Sequence, residues 1–135
     1  MKINIETEVN AALEKVWAAW TNPEDIKQWN AASDDWHTTQ SEVDLREGGS
    51  FCSRMEAKDG SFGFDFAGKY TKIIPNALIE YELEDGRVVS TKFENTGSAV
   101  KVAQEFDADD EMSAEQQRTG WQSILNNFAR HVQSK

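Results

Sequence analysis

Residues 29–38 read WNAASDDWHT and hold the densest mixture of chemistry-bearing side chains in the chain. Asp34 or Asp35 beside His37 has the make-up of a carboxylate–imidazole pair, which can act as a general base. Alternation puts Asp35 and His37 on one face if a strand begins there. Ser33 is too near in sequence for a nucleophilic triad, whose members come from separate segments. No second polar cluster offers an oxyanion hole. Asp34 and Asp35 serve equally well as turn residues leading into a strand, with His37 facing solvent. One cysteine, Cys52, and two distant histidines, His37 and His131, give no zinc-ligand spacing. The reading is therefore no catalytic residue, no metal and no cofactor. A small cyclase or hydrolase using His37 and Asp35 is the third-ranked alternative.

Other charged residues have simpler accounts. Asp44 and Arg46, two apart on one strand, pair with each other or with Arg54 and Glu56. A buried Arg46 or Arg54 would instead be a cation able to select a ligand carboxylate. His131, in the last turn of the final helix, suits the helix dipole. Cys52 reads as a small apolar residue and cannot form an internal disulfide, which points to a reducing cytoplasm.

The elements that must position these residues follow from periodicity. At 135 residues, with 39% hydrophobic and 28% charged side chains, the chain suits a single domain over 1–135. A net charge of −10 and scattered basic residues argue against nucleic acid. No apolar run approaches a membrane span, and the opening MKINIETEVN lacks a signal-peptide core. Residues 2–9 alternate as a half-buried strand, and Ala12, Leu13, Val16, Trp17 and Trp20 mark an amphipathic helix. Asn22-Pro23 opens a second, short helix carrying Ile26 and Trp29. From Trp36 to Asp107 the period is two. Gly48-Gly49, Asp59-Gly60, Pro75-Asn76, Asp85-Gly86 and Asn95-Thr96-Gly97 divide that region into six antiparallel strands, a meander. Ser113 and Gln116 have capping-box spacing before a last helix striped by Trp121, Ile124, Leu125, Phe128 and Val132. Gly120 interrupts it, where glycine costs about 1 kcal/mol relative to alanine.

The strands have one apolar face, carrying Phe51 and Met55, then Phe62, Phe64, Phe66 and Tyr70, then Ile79, Tyr81 and Leu83. Such a sheet needs a cover, and the C-terminal helix is the candidate. A curled sheet gripping one helix can leave a cavity at one end. Five tryptophans in so short a chain fit either core or pocket walls. Trp29 and Trp36, where the short helix meets the sheet, would flank the mouth.

Together these features resemble the START-like, helix-grip superfamily. Within it they are similar to the small bacterial branch named after the activator of heat-shock protein 90 ATPase. The resemblance rests on Val16-Trp17 with Trp20, Asn22-Pro23, Trp29, Trp36-His37 and Asp44-Leu45-Arg46 before Gly48-Gly49. It continues through Gly68-Lys69-Tyr70, Pro75, Glu80-Tyr81 and Gly120-Trp121, nearly the whole chain. It implies an α+β helix-grip fold: strand, helix, helix, six antiparallel strands and a long C-terminal helix within the curved sheet. It also implies a pocket there, which in relatives takes lipids, sterols, polyketides or plant hormones. Eukaryotic co-chaperones of the branch carry a separate N-terminal domain, whereas this sequence opens on its first strand. The expected function is thus binding of a small apolar or amphipathic molecule, with a co-chaperone-like, chaperone-binding module as the alternative. The expected site comprises Trp29 and Trp36 as rim, Met55, Phe64 and Phe66 as wall, Trp121 and Leu125 as floor, and Tyr81.

Overall fold

Strict alternation makes the first element a strand, with Ile3, Ile5 and Val9 of β1 (Lys2–Val9) buried and Lys2, Asn4 and Glu6 exposed. The computed structural model describes residues 2–109 and 113–134. Two helices follow, α1 (Leu13–Thr21) and α2 (Pro23–Trp29). Asn22 separates them: its side chain accepts from the Glu24 N–H at 3.0 Å, and Pro23 occupies the first turn of α2.

The meander then runs through β2 (Trp36–Val43), β3 (Ser50–Ala57), β4 (Gly63–Ile74), β5 (Leu78–Leu83), β6 (Val88–Asn95) and β7 (Val100–Asp107). Its connections coincide with the turn signals. Gly60, Gly86 and Gly97 have φ of 77°, 92° and 104°, conformations that a side chain would strain. The seven strands form one antiparallel sheet in the order β1-β7-β6-β5-β4-β3-β2, so the opening strand closes the meander at β7. The sheet curls into a half-barrel. Register shifts between Thr38 and Gln40 in β2, and between Tyr70 and Lys72 in β4, mark bulges that bend and twist those strands. They also reset the alternation. Ile73, not Lys72, pairs with buried Ile79, and Ile74 is left exposed.

Helix α3 (Ala114–Gln133) is capped by Ser113, whose side chain accepts from the Gln116 N–H at 3.1 Å. It lies along β1 and buries Leu125, Phe128, Ala129 and Val132. At one end of the sheet α1 and α2 complete the cover. Trp20 and Trp29 stack at 4.9 Å, and both meet Phe128 edge-on, at 4.8 and 4.9 Å. Trp17 and Trp20 stand edge-on to Phe93 of β6. Offset and edge contacts of this kind add about 0.5–1.5 kcal/mol per pair beyond area burial.

His131 sits in the last turn of α3, where it suits the helix dipole as expected, and it also has a specific partner. Its Nε2 lies 2.8 Å from Asp25 Oδ1, with side chains only 11% and 9% exposed. This hydrogen bond joins the last turn of α3 to the first turn of α2. Other ion pairs, such as Lys101–Glu6 at 3.1 Å, sit at the surface where solvent screens them. Asp44 and Arg46 do pair, at 3.0 Å, but in the connection after β2 rather than on a strand.

Removing one partner of a buried hydrogen bond leaves the other unsatisfied and costs about 1–3 kcal/mol. Asp25→Ala should therefore lower the urea midpoint clearly, whereas Lys101→Ala should leave it unchanged. Equal effects of the two would show that the Asp25–His131 contact does not join the helices.

Candidate functional site

Helix α3 does not fill the grip. A cavity of about 500 Å3 lies between its Gly120, Trp121, Ile124 and Leu125 and the inner faces of β3, β4 and β5. Trp20, Ile26 and Trp29 bound it on the α1–α2 side, and Asn30, Ser33 and Trp36 on the segment after α2.

Local sequence explains the walls. In β4, a Cβ on Gly68 would stand 2.7 Å from the Glu82 carbonyl oxygen and 3.0 Å from the Phe51 ring. The bare glycine thus lets Phe51 lie across the strand, with ring centroids 5.2 Å from Tyr70 and 4.7 Å from Tyr81. Trp121 stacks on Phe106 at 4.1 Å and meets Phe66 edge-on at 6.0 Å. On the helix side, a Cβ built on Gly120 meets nothing within 4 Å. Gly120 is a gap in the helix surface that enlarges the cavity, with no close backbone neighbour.

All of Trp29, Trp36, Met55, Phe64, Phe66, Tyr81, Trp121 and Leu125 border this one space. Two positions differ from expectation. Trp29, expected at the rim, is 6% exposed and donates its indole N–H to the Ala19 carbonyl at 3.0 Å. It faces the cavity from the core. Phe64, expected within the wall, is 41% exposed because it lies beside the open end. The mouth is therefore Trp36 and Phe64, 5.9 Å apart, with the still more exposed Phe62 outside the lining and 6.1 Å from Trp36.

The proposed acid–base residues stand elsewhere. Asp34, Asp35 and His37 do not border the cavity. Asp35 accepts a hydrogen bond from the Ser33 hydroxyl, and His37 is the register partner of Glu56 on β3. Trp36 points inward, so alternation turns His37 outward. Among the described residues, no cluster of three or more histidine, cysteine, aspartate or glutamate side chains could hold a metal ion. Burial raises the Cys52 thiol above its usual value, with Asp65 adding to the effect, which disfavours the thiolate.

Sequence reasoning missed several polar lining residues. Ser53 and Gln104 are buried and face the cavity. Their signal was the alternation itself, because Ser53 falls between Phe51 and Met55, and Gln104 between Val102 and Phe106. The cation at the cavity is neither Arg46 nor Arg54. Arg54 lies outside, 3.0 Å from Glu56 and 3.4 Å from Asp65. Arg87 takes that place, after the β5–β6 turn, with Nε 2.7 Å from Asp85 and Nη1 3.7 Å from Asp109. The chain's two tyrosines, Tyr70 and Tyr81, both line the cavity and are register partners on β4 and β5. Burial pushes both phenols far above the usual value; Asp44 adds to this at Tyr70, and Tyr70 adds to it at Tyr81.

A curled antiparallel sheet, a long C-terminal helix in its grip and a cavity between them define a START-like, helix-grip protein. The chain belongs to the family described as Activator of Hsp90 ATPase homolog 1-like protein, whose model matches residues 10–133. It is similar to the AHSA1-like protein from Aeromonas hydrophila, solved by solution NMR: 46% identity, TM-score 0.94, with 99% of this chain and 93% of that one covered. A Cytophaga hutchinsonii protein, also solved in solution, is 43% identical with TM-score 0.86 over 98% and 92% of the two chains. The CV1439 protein from Chromobacterium violaceum shares the fold at 20% identity, with TM-score 0.88 and 98% of each chain covered. No curated protein matches the sequence. Among the described residues no helix is long and apolar enough to cross a membrane.

The tyrosines supply a direct check on burial. Their folded-state pKa values lie above the unfolded value near 10, so their contribution to stability is complete below about pH 10 and lost as pH rises beyond it. In an alkaline titration, phenolate absorbance should stay absent through pH 10 and then appear together with unfolding. A gradual, non-cooperative rise centred near pH 10 would mean that the phenols face solvent.

Proposed function

We propose that this protein binds a small hydrophobic or amphipathic molecule in the cavity between the sheet and α3. The observation that carries the proposal is the open, aromatic-lined volume of about 500 Å3 left after the core has packed. Ligand pockets typically measure about 300–1,000 Å3 and combine apolar walls with a few polar groups. A domain selected for stability alone would close such a space, since interiors pack to a density of about 0.75. Alanine at position 120 would add roughly 1 kcal/mol of helix propensity and meet no neighbour. Keeping a glycine there preserves volume.

In this reading Trp36 and Phe64 form the entrance, Met55 and Phe66 the wall, and Trp121 and Leu125 the floor. Trp29 and Tyr81 lie within. Burial of apolar ligand surface at about 25 cal/mol per Å2 supplies affinity, and tyrosine and tryptophan polar tips fix orientation. Asn30, Ala32 and Ser33 border the cavity beside Trp36, with no chemical step assigned to them. The lone cysteine goes with a reducing, cytoplasmic setting. A second reading, a co-chaperone-like interaction module, draws support from the family description and from the exposed Phe62 ring. It requires a partner to bind the outer surface regardless of what occupies the cavity.

A heteronuclear NMR titration of the tryptophan indole N–H signals separates the two. Against fatty acids, sterols and polycyclic aromatics, a ligand should shift Trp36, Trp121 and Trp29 saturably and leave Trp17, which lies outside the cavity, unmoved. Gly120→Leu, which fills the space from the helix side, should abolish the shifts while preserving the fold. Absence of shifts across the panel, or equal shifts in the variant, would contradict the proposal.

A further inference from the structure

Four polar side chains border the cavity while more than nine-tenths buried: Ser53, Tyr70, Tyr81 and Gln104 are 5%, 7%, 7% and 6% exposed. Gln104 donates one amide proton to Thr91 at 3.1 Å. The hydroxyls of Ser53, Tyr70 and Tyr81 hydrogen-bond to no described residue, yet they are not sealed into the core as the Ser41 hydroxyl is. Buried polar groups are satisfied as a rule, and these three have only what occupies the cavity to pair with. Here the residues that carry the unused donors all line one space. That arrangement is costly for a core and useful for a ligand.

The charges narrow the chemistry. Arg87 is the one charged side chain among the described residues that border the cavity. Its guanidinium already has carboxylates at 2.7 Å (Asp85) and 3.7 Å (Asp109), so an entering anion would be the third around a single cation. The two phenols, held protonated by burial, are hydrogen-bond donors. Around them the walls are rings, those of Phe51, Phe66 and Trp121 among them, set for edge and face contact with another ring.

Building on the ligand-binding proposal, we infer that the ligand is a neutral, ring-containing molecule whose carbonyl oxygen accepts from the Tyr70 and Tyr81 hydroxyls. A fatty acid does not meet these terms: its carboxylate finds no unshared cation, and its chain brings no ring to the aromatic walls. Specificity thus comes from the sheet side, through two tyrosines that are neighbours across β4 and β5.

Three probes of similar shape test this by isothermal titration calorimetry: xanthone, xanthene and xanthene carboxylate. The wild type should bind xanthone about tenfold more tightly than xanthene, the worth of one neutral hydrogen bond. The carboxylate should bind no better than xanthene. In the double variant Tyr70→Phe/Tyr81→Phe the preference should vanish while xanthene affinity stays at the wild-type level, which also reports an intact cavity. Each single variant should retain a reduced preference, so the test survives poor folding of the double variant. Equal binding of xanthone and xanthene by the wild type, a preference that persists in the double variant, or tightest binding of the carboxylate would overturn this inference alone. No binding of any of the three would overturn the ligand-binding proposal with it.

Discussion

One helix cannot cover seven strands, and the structure follows from that mismatch. Strands spaced about 4.8 Å apart make a sheet some 30 Å wide, while a helix with its side chains is about 10–12 Å across. Curling reduces the difference without removing it. Helix α3 covers the β1–β7 side, with Trp121 on Phe106 and with Leu125, Phe128 and Val132 buried. The pair α1–α2 covers another part, sealed by Trp20, Trp29 and Phe128. Between these covers the inner face of β3–β5 has no helix packed fully against it, and there the cavity lies.

The same mismatch explains where apolar surface reaches solvent. Phe62, just before β4, and Phe64, near its start, lie past the end of the cover, and Trp36 leans on both from the edge strand β2. The helices themselves are joined by the aromatic seam of Trp20, Trp29 and Phe128, beside which Asp25 and His131 fix α2 against the end of α3.

The element order, the turns and the apolar face were legible in the sequence because each depends on local chemistry: strand alternation, Asp-Gly and Gly-Gly turns, and the caps at Asn22 and Ser113. The residues around the cavity were also legible, since period-two alternation fixes which side chains share a face. What was not legible required two segments at once. The ends of the cavity depend on how far α3 and α2 reach over the sheet, so Trp29 and Phe64 each sit at a different depth from that expected. Bulges in β2 and β4 shifted the parity where alternation was assumed continuous. His131 reads as a dipole cap until α2 delivers Asp25 to it from 106 positions away. Ser53 and Gln104 carried a readable signal that attention to apolar residues passed over. Arg87, outside any alternating run, carried none.

The central claim is physical: the helix leaves an apolar-walled space that the core does not fill. Xenon enters such spaces without needing a particular ligand. Methyl NMR spectra recorded under xenon pressure should shift Met55, Ile79, Ile124 and Leu125, which border the cavity, and leave Ile3, Val9 and Val132 of the packed core in place. Uniformly small shifts across both groups would contradict the account, for they would mean that side chains close the grip and that no cavity awaits a ligand.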